Sequence, residues 1–169
     1  KRQPFIVFDD ADIELASNIG AAIKFGNCGQ ICVAANRFFV HEKVFDEFMD
    51  KMISKAKQLK IGFNKELDFE IGPMITNKSK ERVLGLIKKT IENGGKLQYG
   101  GKSPEDLSQG NWIQPTVISG VTDKMSIFHE EIFGPVASLI SFKTEDEVIK
   151  SANNTKYAVS YTHLRAHET

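Results

Sequence analysis

The chain alternates between short apolar runs and longer stretches in which apolar residues recur at helical spacing. Residues 5–8 (FIVF) are a continuous apolar run rich in β-forming side chains, which is typical of a strand buried on both faces. Residues 10–25 and 43–60 carry apolar residues at helical spacing, so each predicts an amphipathic helix. Between these helices, residues 37–42 (RFFVHE) predict a second buried strand.

The second half of the chain continues this alternation. The predicted elements are a helix over residues 77–93, strands over 96–101 and 111–121, and a helix over 144–154. Alternation of short apolar strands with helices predicts an α/β layered domain with a largely parallel sheet flanked by helices.

Residues with capping preferences mark the ends of the predicted helices. Asp9 and Asp10 are candidate N-caps of the first helix. Thr144 and Glu147 have the spacing of a capping box before the last helix. The two glycines at 94–95 are expected to end the helix that precedes them.

Composition limits the class of partner. The chain has 169 residues, 41% hydrophobic and 26% charged, which allows one domain with a packed core. Lys plus Arg and Asp plus Glu number 22 each, without long blocks of one sign, so a nucleic-acid binder is not predicted. We therefore expect a small molecule or another protein as the partner.

Hydrophobic runs are also too short to predict a membrane protein. No apolar run approaches the ~18 residues of a membrane span. The first ten residues hold too short an apolar region for a signal peptide. These observations lead us to expect a cytoplasmic protein.

Two cysteines lie four positions apart in FGNCGQICVAANR, residues 25–37. A pair without a further Cys or His cluster is a poor zinc site, and a disulfide between Cys28 and Cys32 is not favoured in an intracellular protein. Each cysteine is therefore either a packing residue or a reactive group. Gly26 and Gly29 give the loop backbone conformations in which main-chain N–H groups can turn toward a substrate oxygen. The residues alone leave both the role and the choice of cysteine open.

The end of the chain departs from the pattern. His163 and His167 have metal-ligand spacing on a helix, but no third ligand accompanies them, so no metal site is predicted. Residues 161–169 are expected to form a disordered or non-native tail.

Three segments together resemble the NAD(P)-dependent aldehyde dehydrogenases. GNCGQICVAANR resembles their active-site signature, in which the nucleophilic cysteine follows Gly-Gln and one variable residue. PFIVFDDADIE resembles the stretch after their general-base motif, and EEIFGPV, residues 130–136, resembles their Glu-x-Phe-Gly-Pro cofactor motif. Because matches run in order from about Pro4 to Ser160, residues 1–160 are expected to form a partial catalytic domain of this family.

The resemblance implies roles for three residues. Cys32 would attack the aldehyde carbon to give a thiohemiacetal and, after hydride transfer to NAD or NADP, a thioester that water hydrolyses to the acid. Glu131 would bind the hydroxyls of the nicotinamide ribose, and Phe133 would pack near the nicotinamide. The residues alone would instead make Glu131 a solvated carboxylate and Phe133 a core residue. A full-length homo-oligomer is also implied.

The chain also departs from the family. Counterparts of the dinucleotide-binding domain, the oxyanion asparagine and the general-base glutamate are not among these residues, so we expect the chain alone not to turn over. Succinate-semialdehyde dehydrogenases are the most similar subfamily and the alternative function. Their carboxylate-binding arginine, six residues before the nucleophile, is replaced by Gly26, and Ala34 stands where they often have a second cysteine.

Two other hypotheses remain. The first is a catalytically inert α/β module that packs against a partner chain through an exposed sheet edge. The second is a cysteine hydrolase in which Cys32 works with His41 or His129. Cys28 is interpreted as a wall residue of the loop that could pair oxidatively with Cys32.

Overall fold

The structure is a computed structural model that describes residues 3–63, 69–107, 109–155 and 162–165. Its strands are β1 (Gln3–Val7), β2 (Ala35–His41), β3 (Lys96–Tyr99), β4 (Thr116–Ser119), β5 (Val136–Phe142) and β6 (Thr162–Leu164). Its helices are α1 (Ile13–Phe25), α2 (Phe45–Gln58), α3 (Asn77–Glu92), α4 (Ser126–His129) and α5 (Glu145–Asn153). Short 3-10 turns cover Gly26–Gly29 and Glu42–Val44.

The described strands form one six-stranded sheet in the order β3-β4-β5-β2-β1-β6. Every neighbouring pair is parallel except β3 and β4, which run antiparallel at one edge. The predicted layered α/β fold with a largely parallel sheet is therefore confirmed.

Strand β5 lies near the middle of the sheet, yet the sequence pattern did not predict it. Two serines interrupt its apolar run. Ser138 is fully buried, and its hydroxyl donates to the main-chain oxygen of Asn36 in β2 at 2.6 Å. A satisfied buried hydroxyl costs little, so the strand tolerates a residue that hides its apolar character.

Helix α1 begins later than predicted. Asp12 is its N-cap, and the Asp12 side chain accepts from the N–H of Leu15 at 2.9 Å. The expectation that Asp9 or Asp10 caps this helix is wrong, because Asp9 instead pairs with Lys43 at 2.8 Å.

The predicted cap of α5 is confirmed at Thr144, whose hydroxyl accepts from the N–H of Glu147 at 3.3 Å. The reciprocal bond differs from a standard capping box. The Glu147 carboxylate accepts from the N–H of Lys143, one residue before the cap, at 2.9 Å. Strand β4 covers only four of the residues in the predicted strand 111–121.

Helices α1 and α2 pack on one face of the sheet through aromatic rings. The rings of Phe5 and Phe38 have centroids 5.1 Å apart, and Phe48 of α2 lies 6.4 Å from Phe5. All three side chains are fully buried. Gly20 allows α1 to come close to the sheet, since a β-carbon there would lie 3.1 Å from the Phe38 ring.

A buried arginine fixes the end of α5. Arg37 of β2 is fully buried, and its guanidinium donates to the carbonyls of Ser151 and Ala152 at 3.1 and 2.9 Å. The guanidinium also lies over the Phe128 ring, 5.0 Å from its centroid. A cation at a helix C-terminus is favoured by the helix dipole.

Part of the expected tail joins the sheet. Thr162–Leu164 pairs in parallel with β1, so the expectation of disorder is wrong for these three residues. His163 is in a strand rather than a helix, and His167 lies outside the described residues. The domain limit at residue 160 also falls there, and a non-native origin of the tail stays a prediction.

Candidate active site

Two loops that precede neighbouring parallel strands meet at the amino ends of those strands. Residues 30–34 lead into β2, and residues 130–135 lead into β5. Because β2, β5 and β4 are parallel neighbours, all of them begin on the same side of the sheet. Cys32, Glu131 and Phe133 therefore lie in adjacent loops at the amino ends of these strands.

The cysteine loop has an unusual backbone. Asn27, Cys28 and Gly29 are consecutive residues with positive φ angles of 49°, 56° and 67°. Left-handed conformations are costly for residues other than glycine, and they persist where the surroundings enforce them. Main-chain and side-chain bonds close this turn, since Gln30 N–H donates to Asn27 O at 3.0 Å and Asn27 Nδ2 donates to Gln30 O at 3.2 Å.

Two glycines bring the cysteine loop against the Glu-x-Phe-Gly-Pro segment. A β-carbon on Gly29 would lie 2.2 Å from the carbonyl oxygen of Gly134 and 2.4 Å from its carbonyl carbon. Glycine is therefore required at 29 both by its positive φ and by this close approach. The contact joins two segments that are more than 100 residues apart in sequence.

Gln30 ties the cysteine loop to a third segment. Its Oε1 accepts from the N–H of Ile75 at 2.9 Å, and its Nε2 donates to the carbonyl of Pro73 at 3.3 Å. Gln30 is the glutamine of the segment that resembles the family's active-site signature. It thus links the cysteine loop to the stretch that leads into α3.

The two cysteines have different surroundings. Cys32 is exposed, whereas Cys28 is buried and its thiol donates to the Met74 thioether sulfur at 3.6 Å. Burial raises the pKa of the Cys28 thiol to about 12, against a smaller opposing effect of the Lys24 charge. Both thiols are free. Cys28 thus belongs to the packed wall of the loop, while Cys32 is open to a reactant.

This difference predicts selective alkylation. Iodoacetamide at pH 8 should label Cys32 in the folded chain and leave Cys28 unlabelled, because only the thiolate reacts and the raised pKa keeps Cys28 a thiol until far more alkaline pH. Peptide mass spectrometry measures the two yields separately. Equal yields from the folded chain would contradict this assignment, and a sample alkylated in denaturant provides the fully labelled reference.

Glu131 and Phe133 both reach the surface of the described structure. The Phe133 side chain is 37% exposed, and its φ of +45° is rare for a bulky residue. The interpretation of Phe133 as core is therefore wrong. Glu131 and Phe133, two residues apart, thus present a carboxylate and an aromatic ring to solvent, and these groups are chemically suited to a ribose hydroxyl and a flat aromatic group.

Two side chains hold the main chain around Glu131. Asn36, which is buried, donates from Nδ2 to the carbonyl of Glu130 at 2.7 Å and accepts at Oδ1 from the N–H of Ile132 at 2.9 Å. Arg82 of α3 donates to the carbonyl of Glu131 at 3.1 Å and to that of Ile132. Neither residue was predicted from the sequence. An asparagine inside an apolar strand was the available signal, since asparagine is depleted in strands.

A buried lysine lies behind the loop. Lys24, in the last turn of α1, is only 1% exposed. Burial lowers its pKa to about 7, while the nearby Cys28 and Glu131 groups act in the opposite direction. The Lys24 ammonium thus contributes a titratable charge beneath the site.

A groove of about 510 Å³ opens between α1 and α2 and reaches the first residue of the cysteine loop. Its lining residues are Asn18, Ala21, Ala22, Phe25, Gly26, Lys55, Gln58, Leu59, Glu70 and Ile71. Gly26 has φ −51° and ψ 137°, which any residue adopts, and the nearest atom to an added β-carbon is Ile31 Cδ1 at 3.8 Å. A side chain at Gly26 would therefore meet no backbone obstacle.

The geometry does not support the hydrolase hypothesis. His41 ends β2, so the strand separates it from Cys32 by about 20 Å. The rings of His41 and His129 bond to the carbonyls of Lys143 and Asp123. Neither ring bonds to Cys32 within the described ranges.

The described residues were also searched for membrane spans and metal sites. They contain no helix long and apolar enough to cross a membrane and no group of three potential metal ligands.

Comparison with known proteins assigns the chain to a family. The family model described as aldehyde dehydrogenase family matches residues 2–162, and the chain belongs to that family. The resemblance noted in the sequence is thereby confirmed.

Particular relatives show how much of a family member the chain represents. It is 46% identical over 159 residues to aldehyde dehydrogenase family 2 member B4, mitochondrial, of Arabidopsis thaliana, covering 94% of this chain and 29% of that protein. It is 41% identical to succinate-semialdehyde dehydrogenase [NADP(+)] 2 of Schizosaccharomyces pombe, covering 90% and 31%. The crystal structure of betaine aldehyde dehydrogenase from Staphylococcus aureus with NAD+ superposes with a TM-score of 0.93 at 33% identity, covering 98% and 33%. The chain thus spans about a third of the length of these proteins.

Proposed function

We propose that this chain is the section of an aldehyde dehydrogenase that supplies the nucleophile, Cys32, and part of the nicotinamide site, Glu131 and Phe133. The observation that carries the proposal is the contact between Gly29 and Gly134. This contact packs the loop of the exposed thiol against the segment of the exposed carboxylate and ring. A nucleophile and a cofactor site must be adjacent for hydride to leave the carbon that the thiol attacks.

The chain's own groups suit the first step. The Cys32 thiolate, formed when the thiol gives its proton to solvent, makes a bond to the aldehyde carbon, and the C=O π electrons move to the oxygen to give the alkoxide of a thiohemiacetal. Within the described residues, the main-chain N–H of Cys32 donates no hydrogen bond, so it is available to the oxygen of this adduct. One preorganised donor of this kind typically contributes ~3 to 4 kcal/mol to transition-state stabilisation.

NAD(P)+, when bound, supplies the acceptor for the hydride that leaves the adduct. Glu131 would hold the ribose hydroxyls, and Phe133 would exclude water from one side of the nicotinamide. The sulfur then carries a thioester, and water adds to its carbonyl carbon as the C–S bond breaks, which restores the thiol and releases the acid. The family's general base and oxyanion asparagine are expected in other segments of the complete protein.

The complete protein, encoded by the open reading frame that carries this chain, provides the test. It should produce NAD(P)H, measured at 340 nm, only when an aldehyde is present, together with one equivalent of the acid. Absence of NAD(P)H formation across short aliphatic, aromatic and ω-carboxylated aldehydes would contradict the proposal and favour the inert-module hypothesis.

Substrate preference is predicted to depend on Gly26. The more specific alternative function is succinate-semialdehyde dehydrogenase. The substrate of that enzyme carries an ω-carboxylate, and glycine at position 26 offers no charge to hold it. In the complete enzyme, Gly26→Arg should raise kcat/KM for succinate semialdehyde about tenfold relative to pentanal, because a charge-assisted bond contributes ~1.5 to 3 kcal/mol. Gly26→Gln, which adds bulk without charge, is the matched control. Equal effects of arginine and glutamine would refute the charge argument.

The proposal also includes the use of NAD or NADP as cofactor, homo-oligomerisation and a cytoplasmic location. The residues that distinguish the two nucleotides lie in the dinucleotide-binding domain of the family. Gel filtration and cell fractionation of the complete protein test the other two.

A further inference from the structure

Side chains, rather than a neighbouring strand, bind most of the main-chain polar groups of residues 130–132. They precede β5, and four of their polar main-chain groups bond to the Asn36 amide and the Arg82 guanidinium, while the N–H of Glu130 donates to the carbonyl of Ser126 at 2.9 Å. Buried main-chain groups require partners, so whichever side chain supplies them also decides the path of the segment. Glu131 is the middle residue of this segment, and it is exposed.

We propose that Asn36 is a positioning residue whose amide fixes the main chain on both sides of Glu131 and thereby aims the Glu131 carboxylate at the ribose of NAD(P)+. The inference rests on the proposed function, because that function assigns the ribose to Glu131. Asn36 itself does not touch the cofactor or the reacting atoms. It acts through Glu131.

The Asn36 amide satisfies both bonds because its donor and its acceptor are separate atoms. The carbonyl of Glu130 can only accept and the N–H of Ile132 can only donate, so the side chain must offer one donor and one acceptor. This requirement also fixes the orientation of the Asn36 amide. Aspartate would keep the bond to Ile132 and lose the bond to Glu130, whereas leucine would lose both. Glutamine is one methylene longer at a position that is 2% exposed.

Asn36 is itself anchored in the middle of the sheet. It lies in β2, between β1 and β5, and its main-chain oxygen accepts from the Ser138 hydroxyl at 2.6 Å. The same strand begins three residues after Cys32. Strand β2 thus follows the loop of Cys32 and, through Asn36, holds the main chain on both sides of Glu131.

The test compares two variants of the complete enzyme with a control. Asn36→Leu should raise the Kd for NAD(P)+, measured by isothermal titration calorimetry, about tenfold or more through loss of both bonds, while the KM for the aldehyde changes less than about threefold. Asn36→Asp should also weaken NAD(P)+ binding. Hydrogen exchange of the Ile132 amide should accelerate in Asn36→Leu and less in Asn36→Asp, which keeps an acceptor for that N–H.

Thr116→Val is the matched control. The buried Thr116 hydroxyl also makes two bonds to separate main-chain segments, accepting from Gly101 N–H at 2.9 Å and donating to the carbonyl of Gln114 at 2.8 Å. Valine should lower Tm to a similar extent and leave the Kd for NAD(P)+ unchanged. If both variants weaken cofactor binding equally at equal loss of Tm, Asn36 has only a general structural role and the proposal is overturned.

Three further outcomes separate this proposal from the proposed function. A folded Asn36→Leu enzyme with a Kd for NAD(P)+ within about twofold of wild type overturns the role of Asn36. A wild-type protein that binds NAD(P)+ without oxidising aldehydes contradicts the proposed function, and the ratio of Kd values still decides the role of Asn36. A wild-type protein that binds no NAD(P)+ contradicts both.

Discussion

Cys32→Ala is expected to abolish aldehyde-dependent NAD(P)H formation in the complete enzyme. Alanine removes the atom that bonds to the aldehyde carbon, and no second thiol can take its place, because Cys28 is buried and held as a thiol by a pKa of about 12. Loss of a catalytic nucleophile lowers kcat by a factor on the order of 10⁴ or more. Binding of NAD(P)+ should persist, since Glu131 and Phe133 are unchanged.

The other cysteine provides the control for this substitution. Cys28→Ala removes the sulfur that contacts Met74, so it should lower Tm through lost packing and retain most of the activity. Steady-state rates at saturating aldehyde compare the two variants. An active Cys32→Ala enzyme, or an inactive but folded Cys28→Ala enzyme, would exchange the roles assigned to the two thiols.

Gly29→Ala is expected to give the largest loss of stability among the glycine substitutions considered. The added methyl would meet the main chain of Gly134 at 2.2 Å, and backbone atoms on both sides must then move. A positive φ costs an alanine roughly 1 to 2 kcal/mol, and overpacking adds about 1 to 3 kcal/mol. Urea unfolding of the chain should therefore show a decrease of about 2 to 5 kcal/mol.

Two other glycines separate these costs. Gly94 has a φ of +98° with no atom within 4 Å of an added β-carbon, so Gly94→Ala should show the conformational cost alone. Gly72 has neither a positive φ nor a close neighbour, and Gly72→Ala should be neutral or slightly stabilising. If Gly29→Ala costs no more than Gly94→Ala, the two loops are not locked together by this contact.

Local patterns were sufficient for much of the fold. Helices α1, α2, α3 and α5 and strands β1 and β2 follow from apolar spacing, because each buries a regular face or run. Strand β5 escaped prediction because the buried Ser138 hydroxyl finds its partner in a strand about 100 residues earlier. A hydroxyl that is satisfied at such a distance has no signature within its own segment.

The candidate site divides in the same way. Cys32, Glu131 and Phe133 were predicted through resemblance to a family, and their catalytic and cofactor roles stay predictions. The residues that shape the site, Asn36 and Arg82, act through bonds to main-chain groups of a distant segment. Such bonds depend on the tertiary fold rather than on periodicity, so a single sequence does not reveal them.

The candidate site lies at the amino ends of the parallel strands, whereas the turns after β1, β2 and β5 lie at their carboxyl ends. This separation matters for engineering. At the carboxyl ends, Asp9 pairs with Lys43 and Glu42 pairs with Lys143, and exposed ion pairs of this kind typically contribute less than about 1 kcal/mol. These turns are therefore the positions at which we expect a purification tag or a fluorescent reporter loop to disturb the geometry around the thiol least.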